Sequence, residues 1–580
     1  MNDSNDKRLF WACFTTLIAT SFGFVTRFAI LNEWGRQFNL NSVQLGEIGG
    51  VGVWPFAISI ILFSLIIDKI GYGKAMVFAF ICHITYGVVV ICAPLMLAPD
   101  GASPDAVLAG QKSAYWMLYV GSFIFAIGNG TVEAVVNPVV ATMFSKEKTK
   151  WLNILHAGWP GGLVLAGMMT IALGTVDWRW KIALIFLPVL TYGFLMLGRT
   201  FPVNERVAAG GTYKGMLKEF GVLAALVVVG LIVRQLGDVF KDVPSLSLLG
   251  DWKVQLGIAA VLVGAFGAYT QSLGRPMLFF LMLIMIPLAT TELGTDGWIT
   301  SLMEPFMEMN GYNAAWVLVY TSFIMMVLRF FAGPIVHRIS PLGLLAVSSI
   351  IAAIGLYSLS AATGMLTLFL AATLYGFGKT FFWPTMLGVV SEQCPRGGAL
   401  TLNAVGGVGM LAVGVLGFPF IGLLQVNEVS RELNLVNPEL HAKIVEEKQG
   451  IFGPYTAVSS EKVAALTPLV QQARKIEAEV KKAHQPEDTA AIATALAKNS
   501  ELQGIINTPE YKQQLAIAQT VQETTDRASK GALAYMAIFP CIMLLCYLGL
   551  IAYFRSRGGY APVHLDGADM LGKPVATVES

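Results

Sequence analysis

Long apolar runs, separated by short polar or charged turns, set the pattern of this chain. Runs of roughly 20 residues can cross a hydrocarbon core as helices. The first half holds six, with spans 1 and 2 at about 9–31 and 45–67 and span 3 reaching about 97. Span 4 follows a polar loop at 98–113 and ends at Phe144, span 5 covers about 152–174, and span 6 ends near Leu197. Two further runs at about 220–237 and 254–270 read as extra transmembrane helices, with a re-entrant or surface hairpin as the alternative. Spans 7 to 11 follow at about 277–300, 314–336, 343–362, 366–390 and 399–424, and span 12 at about 533–554. The pattern predicts an all-α integral membrane protein with about 14 transmembrane helices. Its expected parts are a six-helix bundle (1–200), a linker with two extra helices (201–275), spans 7–11 of a second bundle (276–425), a polar insert (426–530), a last helix (531–556) and a tail (557–580).

Composition agrees. Of 580 residues 55% are hydrophobic and 13% charged, with net charge +2, whereas soluble domains carry about 25% charged residues. The charge balance gives no case for nucleic acid. The six cysteines lie in apolar runs or short turns without CxxC spacing, so neither a metal site nor a disulfide framework is expected. The insert is rich in Ala, Glu, Lys and Gln, as in VQQARKIEAEVKKAH, and is expected to form a few amphipathic helices. It holds no nucleophile elbow, phosphate loop or metal spacing, and no enzyme or cofactor is expected. Basic residues concentrate in the short loops that share a side with the N-terminus, among them Lys69, Lys74, Lys146, Lys148 and Lys150. That bias predicts cytoplasmic termini and an outward-facing insert.

The two halves echo one another. SLIIDKIGYGKA (Ser64 to Ala75) aligns without gaps to GPIVHRISPLGL (Gly333 to Leu344), and NPVVATMFS (Asn137 to Ser145) to WPTMLGVVS (Trp383 to Ser391). Such repeats mark alternating-access carriers.

These motifs carry a resemblance. DKIGYGK is similar to the DRxGRR signature between spans 2 and 3 of the major facilitator superfamily, with Tyr72 and Gly73 interrupting it. The Glu133–Asn137–Pro138 pattern, LNILHAGWPGG and KTFFWPTMLGVVSEQCPRGGALTLNAVGGVGM resemble its fucose-permease-like branch of sugar–proton symporters. The resemblance implies two pseudo-symmetric six-helix bundles, a proton-coupling glutamate in span 4, a sugar-contacting asparagine in span 5, and spans 4 and 10 facing one central cavity. It departs in span 1, where the branch has an acid and this chain has Arg27 and Phe28.

Several residues are candidates for the chemistry. An ionisable group within a membrane span is costly and marks substrate or proton paths. Glu133 shares a helical face with Asn129 and Asn137 and is the leading proton site. It could be neutral when sealed and ionised when wetted; a static ion pair, with Lys379 as partner, is the alternative. Glu292 and Asp296, four residues apart near the outer end of span 7, are either further proton sites, one of them pairing with Arg27 as an outer gate, or a solvated helix end. Trp159, Trp298 and Trp383 could stack on a sugar ring while Asn137, Asn153 and Asn403 bond its hydroxyls. Arg27, Asn129, His156 and Lys379 complete the expected binding set. Asp68, Lys69, Arg329 and Arg338 are expected to lock the inner gate. The preferred function is a proton-coupled secondary transporter of a sugar or sugar-like solute. A carrier of a sugar acid or other carboxylate, suggested by Arg27 and Lys379, is second, and a non-transporting solute receptor is third. Expected partners are the solute, a proton and membrane lipid, with the chain acting as a monomer in the cell (inner) membrane.

Overall fold

The computed structural model describes residues 3–565 except 100, 175, 242, 298, 301–302, 304–306, 308–310, 451 and 483–488. Trp298, expected to line the site, lies outside the described residues. Among those described, 13 helices are long and apolar enough to cross a membrane, and Ala315–Arg329 is a shorter apolar one. They match the expected succession, including both extra helices, Tyr213–Phe240 and Trp252–Thr270.

Boundaries moved where capping chemistry outweighed polarity. The expected loop at 98–113 is largely helix, because span 4 runs from Pro104 to Met143. Ser103 caps it, its side chain accepting from the Ala106 N–H, and Pro104 occupies a first-turn position whose missing donor is harmless. At 40 residues the helix is about 60 Å long, twice the hydrocarbon thickness. The basic turn expected between spans 8 and 9 is also mostly helical. Span 8 stops at Arg329, and the next helix, Ala332–Ser360, bends at Ser340, whose φ is 63°.

Helices approach closely where glycine removes the side chain. A Cβ at Gly130 in span 4 would lie 2.3 Å from the Phe56 carbonyl of span 2, and one at Gly378 in span 10 would lie 2.3 Å from the Ala352 nitrogen of span 9.

Four helix interruptions surround the middle of the molecule. Span 5 breaks at Ala157 between Lys148–His156 and Gly158–Leu173. In span 7, Pro287 removes a backbone donor and a π-helical turn follows at Thr290–Gly294. Span 8 ends just before Phe330 and Phe331, and span 10 breaks at Thr380–Phe381 between Met365–Lys379 and Phe382–Gln393.

The insert differs from the expected set of helices. Span 11 continues as Phe418–Val436, and span 12 is preceded by the 28-residue helix Pro509–Met536. Between them lie short helices and an antiparallel hairpin, Val445–Gly450 with Gly453–Val458. Two small cores, one around Leu433, Leu440 and Ile444 and one around Ala473, Ile476, Leu502 and Ile505, hold this cap together. The first and last described segments lie on the opposite side: Asn5 Nδ2 donates to the Thr200 carbonyl, and Tyr560 donates to Glu392.

Candidate functional site

The helix interruptions expose backbone groups that would otherwise be used internally, and charged side chains take them. Arg329 ends span 8 and is 1% exposed. Its Nη1 donates to the His156 carbonyl at the span 5 break (2.7 Å), and its Nε to the Thr380 carbonyl at the span 10 break (2.7 Å). Its Nη2 meets Glu292 Oε1 at 2.7 Å. Glu292 Oε2 accepts from the Trp383 N–H (2.9 Å), in the first turn of Phe382–Gln393. A helix N-terminus favours such a negative charge. Four broken helices are therefore tied at one buried ion pair, and the His156 carbonyl joins it across the two bundles.

Beside this knot is a small cavity of about 20 Å³, room for about one water. Glu133, His156 and Trp159 of the first bundle and Glu292, Arg329 and Trp383 of the second line it. Among the described residues Glu133 has one hydrogen bond, from Asn137 Nδ2 to its Oε2 at 2.7 Å, and no ion pair. Asn137 Oδ1 also accepts from His156 Nε2 (2.9 Å), and Asn137 Nδ2 reaches Asn403 Oδ1 of span 11 (3.3 Å). Asn403 in turn donates to Ser64 Oγ and to the Ala134 carbonyl, each at 3.0 Å. An unbroken polar chain thus runs from Glu133 to the contact between bundles.

The bundles also close on the side that carries the termini. Thr149 Oγ1 donates to Glu392 Oε1 (2.6 Å), Lys148 Nζ to the Ser391 carbonyl (3.3 Å), and Asn153 Nδ2 to Thr385 Oγ1 (3.1 Å). Lys148 pairs with Glu205 at 2.6 Å, and Arg206 with Asp68. The tail is part of this closure: Tyr560 donates to Glu392 Oε2 (2.7 Å), and the Val563 N–H to the Glu392 carbonyl (2.8 Å).

The structure brings Glu133, Asn137, His156, Trp159, Glu292, Arg329, Trp383 and Asn403 to this centre, and corrects several expected partnerships. Lys379 pairs with Asp296 of its own bundle, not with Glu133. Glu292 and Asp296 are no solvated helix end, because both are engaged by buried cations. Neither meets Arg27, which is fully buried and has no ion pair or hydrogen bond among the described residues. Asn129 faces away from the cavity, bonding His83 Nε2 at 2.9 Å, and Asn153 is spent on the closure between bundles. Of the expected inner-gate set, Asp68 finds Arg206 and Lys69 lies over the Tyr213 ring (4.7 Å). Arg338 is exposed without an ion pair among the described residues, and Arg329 belongs to the centre. Glu392, Thr149, Tyr560 and Arg206 were not singled out from sequence. Arg206 alone had a signal, as one of the basic residues before the extra helices.

Comparison with known proteins follows from this geometry. The Major Facilitator Superfamily model matches residues 12–418. A double-tryptophan mutant of XylE, the E. coli xylose transporter, is similar in fold, with 14% identity, TM-score 0.51, and 72% of this chain and 88% of that one covered. The fucose–proton symporter FucP of E. coli in an outward conformation matches with 15% identity and TM-score 0.47, covering 72% and 91%. A gentisate transporter of Corynebacterium glutamicum is 22% identical over 185 residues, 31% of this chain. That match spans about a third (36%) of the relative's length.

Proposed function

The chain belongs to the major facilitator superfamily, and from that premise we propose that this transporter moves a small sugar-like solute by alternating access, coupled to a proton carried on Glu133. Of the three acids expected to handle protons, Glu292 and Asp296 have buried cations as partners, whereas Glu133 has one amide. That contrast carries the reading. A carboxylate whose charge a buried cation already balances has little reason to take up a proton. One whose partner is an amide, at a cavity where the Arg329 cation is already paired with Glu292, is ionised only when water reaches it.

The path from protonation to movement runs through Asn137. Its amide serves both Glu133 and Asn403, so a change at Glu133 alters what holds span 4 to span 11. Trp159 and Trp383 offer apolar ring faces to a sugar-like solute, and His156 and Asn137 offer polar edges. In the same reading the termini-side contacts, Thr149 to Glu392 and Asn153 to Thr385, open when the solute is released there. The basic-residue bias of that side supports its being cytoplasmic. The partial relative that carries gentisate supports an organic anion as a second reading.

Replacing Glu133 by Gln tests the proton role, since glutamine fixes a mimic of the protonated acid. Counterflow exchange in proteoliposomes should survive, while uphill uptake driven by a pH gradient should vanish. A Glu133→Gln protein that still concentrates solute would make the acid structural.

A further inference from the structure

Six lysine and arginine side chains are buried among the described residues: Arg27, Lys148, Lys181, Arg206, Arg329 and Lys379. Five meet a carboxylate: Lys148 with Glu205, Lys181 with Glu33, Arg206 with Asp68, Arg329 with Glu292 and Lys379 with Asp296. Arg27 is the exception. It has no exposed surface, and none of its three guanidinium nitrogens has a hydrogen-bond partner among the described residues.

Its surroundings fit a site awaiting an anion. The cation lies against the rings of Phe24 and Phe28, at 5.7 and 5.1 Å from their centroids. Ring faces stabilise the charge but satisfy few of its five N–H donors. The guanidinium rests on Gly52, where a Cβ would fall 1.6 Å from Nη1. Gly52 sits in the gap between Ser42–Gly50 and Trp54–Ile70, so span 2 is both thinned and interrupted where it covers Arg27. The Tyr86 hydroxyl, which interacts electrostatically with Arg27, is a second buried group without a hydrogen-bond partner among the described residues. One helical turn back, Phe24 touches Trp159 on the cavity wall, with ring centroids 6.1 Å apart. The site therefore lies one turn beyond the cavity, toward the cap.

An arginine stays charged in a protein, and a buried charge without a counter-charge is strongly unfavourable. Resting on the transport reading above, we propose that Arg27 binds the carboxylate of the transported solute, a small sugar acid or hydroxy acid with a single negative charge. The planar fork of the guanidinium matches the two carboxylate oxygens. The sugar-like remainder would then reach Trp159 in the cavity. Solute binding removes the cost of sealing a bare cation under span 2, which links loading to closure.

The test uses the full-length protein in detergent, with unfolding followed by tryptophan fluorescence and lactate, gluconate and glucuronate as probes. At least one carboxylate should raise the unfolding temperature saturably, while glucose and sodium chloride at matched ionic strength should not. Arg27→Gln should be more stable than the wild type without ligand and lose the response; Arg27→Lys should keep a weaker one. A response that persists in Arg27→Gln, an equal response to chloride, or no response to any of the three carboxylates overturns the proposal.

Should Arg27→Gln fail to fold, phenylglyoxal modification of the wild type decides. At ten times its Kd the responding carboxylate should slow modification of Arg27 about elevenfold, and an unchanged rate refutes the site. Uptake in proteoliposomes separates the two readings. Equal uptake of glucose by wild type and Arg27→Gln removes this proposal and leaves transport standing. A carboxylate response at Arg27 with no flux of any solute removes transport and leaves the anion site.

Discussion

Glu292→Gln is the perturbation whose consequence can be worked most fully. Arg329 and Glu292 are 1% and 3% exposed and 2.7 Å apart. At an effective dielectric constant near 20, two unit charges at that distance attract by about 6 kcal/mol. Removing the carboxylate forfeits this attraction and leaves a buried guanidinium, for which the loss of one partner costs about 3–5 kcal/mol. The Trp383 bond can survive, because a glutamine oxygen also accepts. Arg329→Gln should cost a similar amount through the stranded carboxylate, and more through the bonds to the His156 and Thr380 carbonyls, together about 3–6 kcal/mol. The double variant loses those carbonyl bonds but strands no charge. Unfolding in mixed detergent micelles, followed by tryptophan fluorescence, should therefore show strong non-additivity. The double variant should be more stable than the sum of the single losses implies, by about 6–10 kcal/mol, twice the stranded-charge cost. Additive losses, or single losses below about 1 kcal/mol, would refute the view that this pair holds the broken helices together.

Three further outcomes follow from described contacts. Arg206→Ala should leave Asp68 without its partner and weaken the termini-side closure, which cysteine labelling at position 391 would read as faster modification; an unchanged rate would mean that the pair is dispensable. Tyr560→Phe removes a hydroxyl bound to Glu392, a hydrogen bond to a charged group worth about 1.5–3 kcal/mol, and should speed labelling at the same position while leaving the fold intact. Gly130→Ala should destabilise by more than about 1 kcal/mol, because its Cβ would meet the Phe56 carbonyl, a backbone atom that cannot rotate away; a fluorescence-detected unfolding midpoint equal to wild type would show that span 2 can retreat.

The sequence could be read wherever the determining interaction is local. Glu133 and Asn137 stand four residues apart on one helix, and their side chains bond directly. Apolar run length placed both extra helices. What could not be read depends on where helices break and which bundle face each side chain then meets. The resemblance suggested Lys379 as the partner of Glu133, but Asp296, just past the π-helical turn of span 7, is the acid it meets. Arg329 was placed with the inner gate by its position near a basic turn. The breaks in spans 5 and 10 left carbonyls for it at the centre instead. The hairpin in the cap was hidden by charge, since Val445–Gly450 carries Glu446, Glu447 and Lys448 without clear alternation.

The cap is built on two rods. The helices Phe418–Val436 and Pro509–Met536 pack side by side and continue, across short interruptions, into spans 11 and 12 of the second bundle. Gln425 bonds Ser529 between them at 2.9 Å, and Lys530 anchors their base to the Ala362 carbonyl at the end of span 9. The longer rod, 28 residues, extends about 42 Å. Mechanically it is a pointer fixed to one half of the molecule. Tilting that half by about 10° would swing its far end by about 7 Å, on the same helical rise per residue. A spin label near Tyr511, measured against one on the first bundle, would magnify a small internal rotation into a displacement readable from outside the membrane.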